Sequence, residues 1–243
     1  MTEVGRLEAG AAVEDHGYRP APEGLRANMI FSADGAAGFQ GRAGPLSCPA
    51  DQQLLVALRA YADVVLVGAG TARAERYGPV RLRPDHRAQR GALGLSEEPP
   101  PIAVVSASGQ LPDTMFGSTP PLLITNARSA RENPAFHETP CQVLVCGDDA
   151  VDITEALAQL RSLGYHRVLC EGGPTLLDEL VAADLVDELC VTLAPKLAGS
   201  QPLGRGMPSG LPAPTGLRLH HVLVSEDDYL FLRYRRRTHG RGG

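Results

Sequence analysis

Short apolar runs alternate with amphipathic stretches along most of the chain. Six runs rich in β-branched residues predict buried strands, and they cover residues 25–31, 63–68, 101–106, 121–125, 142–146 and 167–172. Four stretches with helical spacing predict helices, and they cover residues 48–62, 71–77, 151–164 and 174–183. Because strands that alternate with helices require crossover connections, the pattern predicts an α/β fold with a mostly parallel central sheet flanked by helices.

The last third of the chain has a different pattern. Residues 185–195, 215–226 and 227–236 are strand-like with no convincing helix between them, so we expect antiparallel strands at one edge of the sheet. The link at residues 225–228 predicts a hairpin. Because an exposed strand edge favours self-association, we expect a homodimer that uses residues 185–236. The alternative is that these strands fold back on their own sheet.

The boundaries of the domain follow from composition. Residues 1–21 and 237–243 are expected to be a flexible N-terminal segment and a flexible tail around a single domain at 22–236. Residues 78–101 are rich in Gly, Pro and Arg and lack an apolar period, which predicts a mobile loop. A linker between two domains is the alternative.

Composition narrows the classes of function. Of the 243 residues, 43% are hydrophobic, which is ordinary for a globular protein. The formal net charge of −5 does not indicate a nucleic-acid-binding protein. No apolar run approaches the ~18 residues of a membrane helix, and the opening residues do not resemble a signal peptide, so we expect no membrane partner and a cytoplasmic location. Neither the cysteine nor the histidine spacing indicates a metal site.

One strand-to-helix junction, VLCEGGPTLLDEL at residues 168–180, is built like an anion site. Gly172 and Gly173 allow close approach of a ligand, and Pro174 suits the first position of a helix whose free N–H groups attract a phosphate. A carboxylate repels a phosphate, so we expect Glu171 to face a different part of the ligand.

A second junction, VLVGAGTARAE at residues 65–75, has a similar character. It is not a dinucleotide fingerprint, because Arg73 stands where the third glycine is required. Gly68, Gly70 and Thr71 still form a glycine turn at a helix start. Ligands of parallel sheets bind at the carboxyl ends of the strands, so two such turns predict a pyrophosphate site.

Other candidate residues follow neighbouring strands. Ser106 and Ser108 have hydroxyls suited to an adenosine ribose or its 2′-phosphate, although an ordinary serine turn explains them equally well. Asp34 lies in an Asp-Gly turn after the first long strand, where most such residues are structural.

These blocks together resemble a known family. The SADG turn, residues 62–71, the EGGPTLLDEL block, residues 185–189 and LAPKLAG at 193–199 are similar to the reductase domain of bacterial riboflavin biosynthesis. The resemblance covers residues 22–235 and implies the dihydrofolate-reductase-like fold. It implies NADPH-dependent reduction of 5-amino-6-(5-phosphoribosylamino)uracil to its ribityl form.

The resemblance implies that Thr71, Glu75 and the segment from Gly173 hold the cofactor, and that Arg59, Arg81 and Glu171 face the substrate. The other candidates come from the turns and hydroxyls described above. The cofactor residues would be Gly68, Gly70, Thr71, Glu75, Ser106, Ser108, Gly172, Gly173, Pro174, Thr175, Leu176 and Leu177. The substrate residues would be Asn28, Asp34, Arg59, Arg81 and Glu171. Asp34 and Glu171 are the candidate proton donors, and a carboxylate that only hydrogen-bonds the substrate ring would explain Glu171 equally well.

The chain departs from the family at a few positions. Asn28 replaces a lysine, Ala43 and Pro45 replace a serine and a tryptophan, and Glu75 replaces an aspartate. No deaminase motif of HxE and PCxxC is present, which indicates a stand-alone reductase. A dihydrofolate or pteridine reductase on the same fold, and a nucleotide-binding module without catalysis, stay open as alternatives.

Overall fold

A computed structural model describes residues 3–8, 12–13, 16–18, 23–117, 119–199, 211 and 213–237. Ten strands form one sheet in the order β1-β9-β10-β8-β2-β7-β3-β4-β5-β6. The strands are β1 Glu3–Arg6, β2 Gly24–Ser32, β3 Val64–Gly68, β4 Ile102–Val105, β5 Leu122–Thr125, β6 Gln142–Val145, β7 Arg167–Cys170, β8 Glu188–Ala194, β9 Leu217–Val224 and β10 Leu230–Arg236. All six predicted buried runs are therefore strands.

Helices cover both faces of the sheet. They are α1 Pro49–Ala60, α2 Ala69–Ala74, α3 Pro84–Ala92, α4 Ala127–Glu132, α5 Ala135–Glu138, α6 Ile153–Ser162 and α7 Pro174–Ala182. Helices α1 and α2 pack on one face and α6 and α7 on the other, so each face has its own apolar core. Among the described residues, no helix is long and apolar enough to cross a membrane.

The sheet confirms the predicted fold class. Strand β2 pairs in parallel with β7 and β8, and the ladder continues in parallel from β7 through β3, β4 and β5 to β6. Strand β3 is buried along Val64–Val67, which explains its nearly continuous apolar sequence. Parallel strands covered on both faces need apolar side chains in both directions.

The C-terminal strands are antiparallel only in part. Strand β10 runs antiparallel to β8 and β9, which confirms the hairpin predicted at residues 225–228. Strand β8, which was expected to be antiparallel, is antiparallel to β10 but parallel to its other neighbour, β2. The crossover through α7 returns the chain to the same end of the sheet and so sets this direction.

The expectation of a flexible segment at residues 1–21 is wrong where the structure describes it. Strand β1 pairs in parallel with β9 and covers its edge. Val13 and Tyr18 are buried, and the Tyr18 carbonyl oxygen accepts a hydrogen bond from Arg26 Nη2 at 3.1 Å. This segment was missed because its few apolar residues follow no period. Beyond residue 237, the predicted tail lies outside the described residues.

The expectation of a mobile loop at residues 78–101 is also wrong. Helix α3 lies in this segment and contacts α1. Arg90 is buried, and its Nη1 donates hydrogen bonds to the carbonyl oxygens of Ala60 and Ala62 at 3.0 and 2.6 Å. The side chains that face the core include this arginine and the buried His86, so the helix shows no apolar period.

Candidate active site

The two glycine junctions meet at the carboxyl ends of β3 and β7. The Gly68 N–H donates to the carbonyl oxygen of Gly172 at 2.8 Å, and Glu171 N–H donates to Leu66 O at 2.9 Å. Helix α2 begins at Ala69 and α7 at Pro174, so both helix starts lie side by side. The juxtaposition expected from the sequence is therefore present in the structure.

Glycine is required where the junctions touch. A Cβ at Gly173 would collide with Thr71 Oγ1, and one at Gly172 would lie 3.0 Å from Met29 Sδ. Gly172 also has a positive φ of 83°, and its peptide bond to Gly173 is cis. Gly70 is exposed, with no atom within 4 Å of a Cβ built on it. Gly172 and Gly173 are therefore required by the close packing of the two turns, whereas Gly70 leaves backbone exposed to solvent.

Helix α7 contributes its backbone rather than most of its side chains. Gly173 is the N-cap without a side-chain hydrogen bond, and Pro174 and Thr175 are exposed. Leu176 and Leu177 are buried in the core between the helix and the sheet. Their side chains are therefore unavailable to a cofactor, and a role for these two residues is limited to their N–H groups.

A buried ion pair lies beside the glycine turns. Arg59 donates from Nε and Nη2 to the two carboxylate oxygens of Glu171, both at 2.7 Å, and Tyr77 Oη donates to Glu171 Oε2 at 2.6 Å. The Glu171 side chain is 2% exposed and the Arg59 side chain 18%. We call these three residues the Glu171 cluster.

The surroundings of the Glu171 cluster keep Arg59 charged and Tyr77 protonated. Burial opposes the charge of Arg59, but the carboxylate of Glu171 and the Tyr77 hydroxyl raise its pKa above the usual value. Burial, together with the neighbouring carboxylate, also raises the pKa of Tyr77 well above its usual range. At neutral pH the cluster therefore contains a fixed guanidinium cation and a tyrosine that keeps its proton. The carboxylate of Glu171 is engaged by these two protein partners.

Asp34 is placed as an anchor for a turn. Its carboxylate accepts hydrogen bonds from Ser32 Oγ, from Ala198 N–H at 3.0 Å and from Gly199 N–H at 2.8 Å. These donors, with Ser32 first, lower the pKa of Asp34 to about 2. The carboxylate of Asp34 thus holds the loop at residues 198–199 against the turn after β2, and its part in proton transfer stays a prediction.

The remaining candidate cofactor and substrate residues lie outside the Glu171 cluster, and two of them accept hydrogen bonds from loop backbone. Glu75 Oε1 accepts from Ala43 N–H at 2.6 Å and so fixes the loop after β2. Ser106 is buried and its Oγ accepts from Gly109 N–H at 3.1 Å, which favours the ordinary serine turn. Ser108 is exposed next to it, and Arg81 is exposed on the segment before α3.

Asn28 and Glu171 follow the last paired residues of two neighbouring strands. Strands β2 and β7 pair as far as Ala27 and Cys170, and Asn28 and Glu171 are the next residue of each chain segment. Both side chains point to the α1 face, because Ala27 and Cys170 belong to the core on the opposite face. Asn28 Oδ1 is buried and has no hydrogen-bond partner in the described structure.

Two functional contacts were not foreseen. Tyr77 was predicted only as the end of a helix, yet it completes the Glu171 cluster. Lys196 Nζ donates to the carbonyl oxygen of Pro45 at 2.8 Å, so the LAPKLAG block holds the loop after β2 as well as Asp34. The LAPKLAG motif could have indicated a role for Lys196 at this site, whereas nothing in the local sequence indicated that Tyr77 belongs to it.

The sheet order, the paired glycine turns and the buried cluster define an α/β protein with a mostly parallel sheet and a candidate site at the carboxyl ends of its central strands. The chain belongs to the RibD C-terminal domain family, whose model matches residues 24–231.

Curated relatives and solved structures support this membership. The chain is 29% identical over 179 residues to the 2,5-diamino-6-ribosylamino-4(3H)-pyrimidinone 5′-phosphate reductase of Archaeoglobus fulgidus, covering 72% of this chain and 81% of the relative. The enzyme of the same name from Methanothermobacter thermautotrophicus is 25% identical, with 72% and 78% covered. A pyrimidine reductase-like protein of Corynebacterium diphtheriae superposes with a TM-score of 0.75 at 27% identity, covering 96% of this chain and 97% of the other.

Proposed function

We propose that this chain is an NADPH-dependent reductase of a ribosylaminopyrimidine 5′-phosphate. The observation that carries the proposal is the contact between the two glycine turns directly beside the Glu171 cluster. One surface offers backbone N–H groups for phosphate, and the adjoining one offers a fixed cation and hydrogen-bonding groups for a polar ring. The relatives named as pyrimidinone phosphate reductases support the same reading.

The cofactor side is formed by backbone. A bound nicotinamide cofactor would supply the hydride, and Gly68, Gly70, Thr71, Gly172 and Gly173 would hold its pyrophosphate. These residues fit that group, because Gly70 lies in open space and the N-caps of α2 and α7 have no side-chain hydrogen bond that would compete with an anion. The exposed Ser108 turn supports a preference for NADPH over NADH, which separate titrations of the two cofactors would test.

The substrate side is formed by the Glu171 cluster. Glu171 engages the Nε and Nη2 atoms of Arg59, which fixes the guanidinium and leaves its Nη1 edge for an acceptor on the substrate. Glu171 thereby becomes a positioning residue in this proposal. A carbonyl or phosphate oxygen of the substrate is the suitable partner for Arg59.

The test is NADPH oxidation with candidate substrates. We expect turnover with a ribosylaminopyrimidine 5′-phosphate and none with dihydrofolate or a dihydropteridine. Turnover of a pteridine alone would establish the alternative reductase. NADPH binding with turnover of none of these compounds would favour the module without catalysis.

A variant pair tests the cofactor surface. Gly173→Asp adds a side chain and a charge against the pyrophosphate and should weaken NADPH binding by ~2 kcal/mol or more. Gly216→Ala is the control, because its Cβ would make only an ordinary contact of 3.6 Å with Arg237 Cδ. Unchanged NADPH affinity in a folded Gly173→Asp protein would remove this turn from the site.

We also propose that a second copy covers the C-terminal strands. The sheet face opposite the buried Cys190, Leu223 and Phe231 carries apolar side chains that are all partly exposed. They are Leu189, Val191, Leu193, Val222, Val224, Leu230, Leu232 and Tyr234. Since β1 covers the edge of β9, the face rather than the edge supports the dimer. Light scattering should show a dimer, and Leu232→Asp should reduce it to a monomer.

A further inference from the structure

We infer that the open end of the β9–β10 hairpin is a second binding site, which takes a small molecule with two or more linked phosphate groups. The site is a pocket of about 480 Å³, which we call the basic pocket. It is lined by Arg218, His220, Arg235, Arg236 and Arg237. Binding at this site is independent of the proposed reductase activity.

The basic pocket lies at the opposite end of the sheet from the glycine turns. Arg235 pairs with Glu188 at the start of β8, and Glu188 pairs with Arg26 near the start of β2. The glycine turns follow the last residues of β3 and β7, and β7 runs parallel to both β2 and β3. A ligand in the basic pocket therefore occupies a site separate from the candidate active site.

The strand register places like charges against each other. Arg218 of β9 is directly opposite Arg235 of β10. Arg237 lies two positions further on the same side, and its N–H continues the ladder by donating to the Gly216 carbonyl oxygen at 3.2 Å. Like charges directly opposite each other in a sheet are destabilising. An anion bound between these guanidinium groups would remove that repulsion.

A β-bulge brings a histidine into the same pocket. Arg233 pairs with His221 and Tyr234 with Leu219, so the ladder passes over His220. The extra residue of a bulge is turned out of the regular alternation, and bulges are common beside functional sites. His220 is exposed and lines the pocket together with the arginines.

The neighbouring carboxylate does not balance the arginines. Glu188 accepts a hydrogen bond from Arg235, but it is shared with the buried Arg26 and Arg233. Arg26 Nη1 and Arg233 Nε still have no hydrogen-bond partner within the described structure. Donors and positive charge are therefore in excess at this end of the sheet, which favours an anionic ligand.

Two arginines of the pocket are free to bind such a ligand. In the part of the chain that the structure describes, neither Arg218 nor Arg237 forms an ion pair. Arg236, by contrast, is paired with Asp184 at 2.6 Å. The free guanidinium groups belong to the residues that the strand register brings to one side of the hairpin.

The lining residues select for phosphate groups. A guanidinium group matches the oxygens of a phosphate in a bidentate arrangement. Each arginine has five N–H donors, so several arginines suit two linked phosphate groups better than one. Among the described residues, no aromatic or apolar side chain lines the pocket. The basic pocket therefore recognises the phosphate groups of the ligand and not an attached ring.

His220 provides a local reporter of binding. Its pKa is lowered, first by partial burial and then by Arg233 and Arg235, while Glu188 acts in the opposite direction. An anion in the pocket adds negative charge beside this ring. The imidazole NMR signals of His220 should therefore shift when the pocket is occupied.

The experiment titrates the full chain with inorganic pyrophosphate at constant ionic strength and pH, and it follows the His220 signals. We expect a saturable shift in wild type. Arg218→Gln and Arg237→Gln should each raise the Kd by roughly 10-fold or more, the value of a hydrogen bond to a charged group. Arg87→Gln is the control, because this exposed arginine of α3 removes the same charge but does not line the pocket.

Two further titrations identify the site and the ligand class. Gly173→Asp should keep the His220 shift and its Kd, because the glycine turns lie at the other end of the sheet. Loss of the shift in a folded Gly173→Asp protein would assign pyrophosphate to the glycine turns and overturn the inference. ADP should bind about as tightly as pyrophosphate, since no described side chain of the pocket stacks on a base. A Kd for ADP roughly 10-fold lower or more would overturn the ligand class, because stacking on a base has about that value.

The remaining outcomes also decide the inference. His220 signals that do not respond to pyrophosphate in wild type would overturn it, and this measurement requires no variant to fold. Equal weakening in Arg87→Gln and Arg218→Gln would overturn it as well, since net charge alone would then explain the binding. Tighter binding of a single-stranded oligonucleotide, with a steep dependence on salt, would assign the pocket to nucleic acid instead. None of these results bears on the proposed reductase activity, which is measured separately.

Discussion

Two buried clusters on the same face of the sheet are both built from arginine and glutamate, but they serve different purposes. The Glu171 cluster lies at the carboxyl end of β7. The second, which we call the Glu188 cluster, lies at the amino ends of β2 and β8 and contains Arg26, Glu188, Arg233 and Arg235. Arg26 Nε donates to Glu188 Oε1 at 2.5 Å, and Arg233 and Arg235 donate to Oε2 at 2.9 and 2.8 Å.

The two clusters differ in how much of their side chains is exposed to solvent. Arg26, Arg233 and Glu188 have side chains that are 3%, 3% and 0% exposed, whereas the Arg59 side chain is 18% exposed. The enclosed arginines also bind backbone, Arg233 at Gly17 and Arg26 at Tyr18. The Glu188 cluster therefore holds the N-terminal segment against the sheet, while the Glu171 cluster keeps one face toward the end of the sheet where ligands bind.

Replacing Glu188 should produce the largest effect on stability. Glu188→Gln leaves buried arginines without their counter-charge, and breaking a buried pair costs about 3–5 kcal/mol. We expect that loss in urea denaturation, with NADPH affinity retained by the protein that remains folded. Asp184→Asn is the control, because its pair with Arg236 at 2.6 Å is on the surface and should cost about 1 kcal/mol or less. Equal losses in the two variants would contradict the comparison.

The free energy of unfolding should also depend on pH, because His221 has a lowered pKa in the folded protein. Burial first, and then Arg233, lowers the pKa of His221 to about 4, from about 6.5 in an exposed histidine. As pH falls through this range the unfolded chain gains a proton that the folded protein does not, so up to ~3 kcal/mol of stability should be lost. His221→Gln should flatten the decline between pH 6.5 and 4. A wild-type stability that is constant over that range would contradict the expectation.

Below that range Glu188 adds to the decline. Burial alone would raise the pKa of Glu188, but Arg26 and Arg233 hold it below its usual value. Its contribution is therefore present above the usual carboxylate range and is lost as pH falls through the lowered pKa. Glu188→Gln should lack this acid-dependent component.

Replacing Glu171 should affect turnover selectively. Glu171→Gln removes the charge that fixes Arg59. The resulting decrease in kcat/KM should correspond to a loss of roughly 1.5–3 kcal/mol of transition-state stabilisation, the value of hydrogen bonds to charged groups. NADPH affinity should hold or rise slightly, because the change removes a negative charge near the phosphate site. The measurements are steady-state kinetics and a separate NADPH titration. Wild-type kcat and KM in a stable, NADPH-binding variant would eliminate the role of Glu171.

Removing the Tyr77 hydroxyl should have the smallest effect. Tyr77→Phe keeps the ring beside the Arg59 guanidinium, 5.3 Å from the ring centroid, and deletes only the donor to Glu171. We expect a loss of about 1 kcal/mol in kcat/KM with no change in the neutral-pH profile, because this tyrosine keeps its proton throughout that range. A new ionisation in the profile of the variant would show that Tyr77 takes part in proton transfer.

The two clusters also show which parts of the site were predictable. Both glycine turns were recognised from Gly68 and from Gly172–Gly173, because backbone that must approach a ligand or another turn excludes side chains. Glu171 was predicted to face away from a phosphate, which stays a prediction, and its protein partners were not predicted. Arg59 and Glu171 are 112 positions apart in sequence, so no local pattern could show that they form a bidentate pair.

Asp34 was predicted in a turn, and the structure confirms the turn. Two of the donors to its carboxylate, the N–H groups of Ala198 and Gly199, come from a distant loop that no local pattern indicates. The environment of a carboxyl group determines whether it is an acid at neutral pH.

The sequence by itself determined strands β2 to β10, four of the helices and the two glycine turns, because these follow from the period of apolar side chains and from local backbone requirements. Only the tertiary structure decided the helix at Pro84–Ala92 and strand β1, since their buried groups are polar or few and their stability comes from distant partners. The same holds for the direction of β8 and for the separate duties of Glu171 and Glu188. Each of these features depends on which residues meet in space, and that is fixed by packing of the whole sheet.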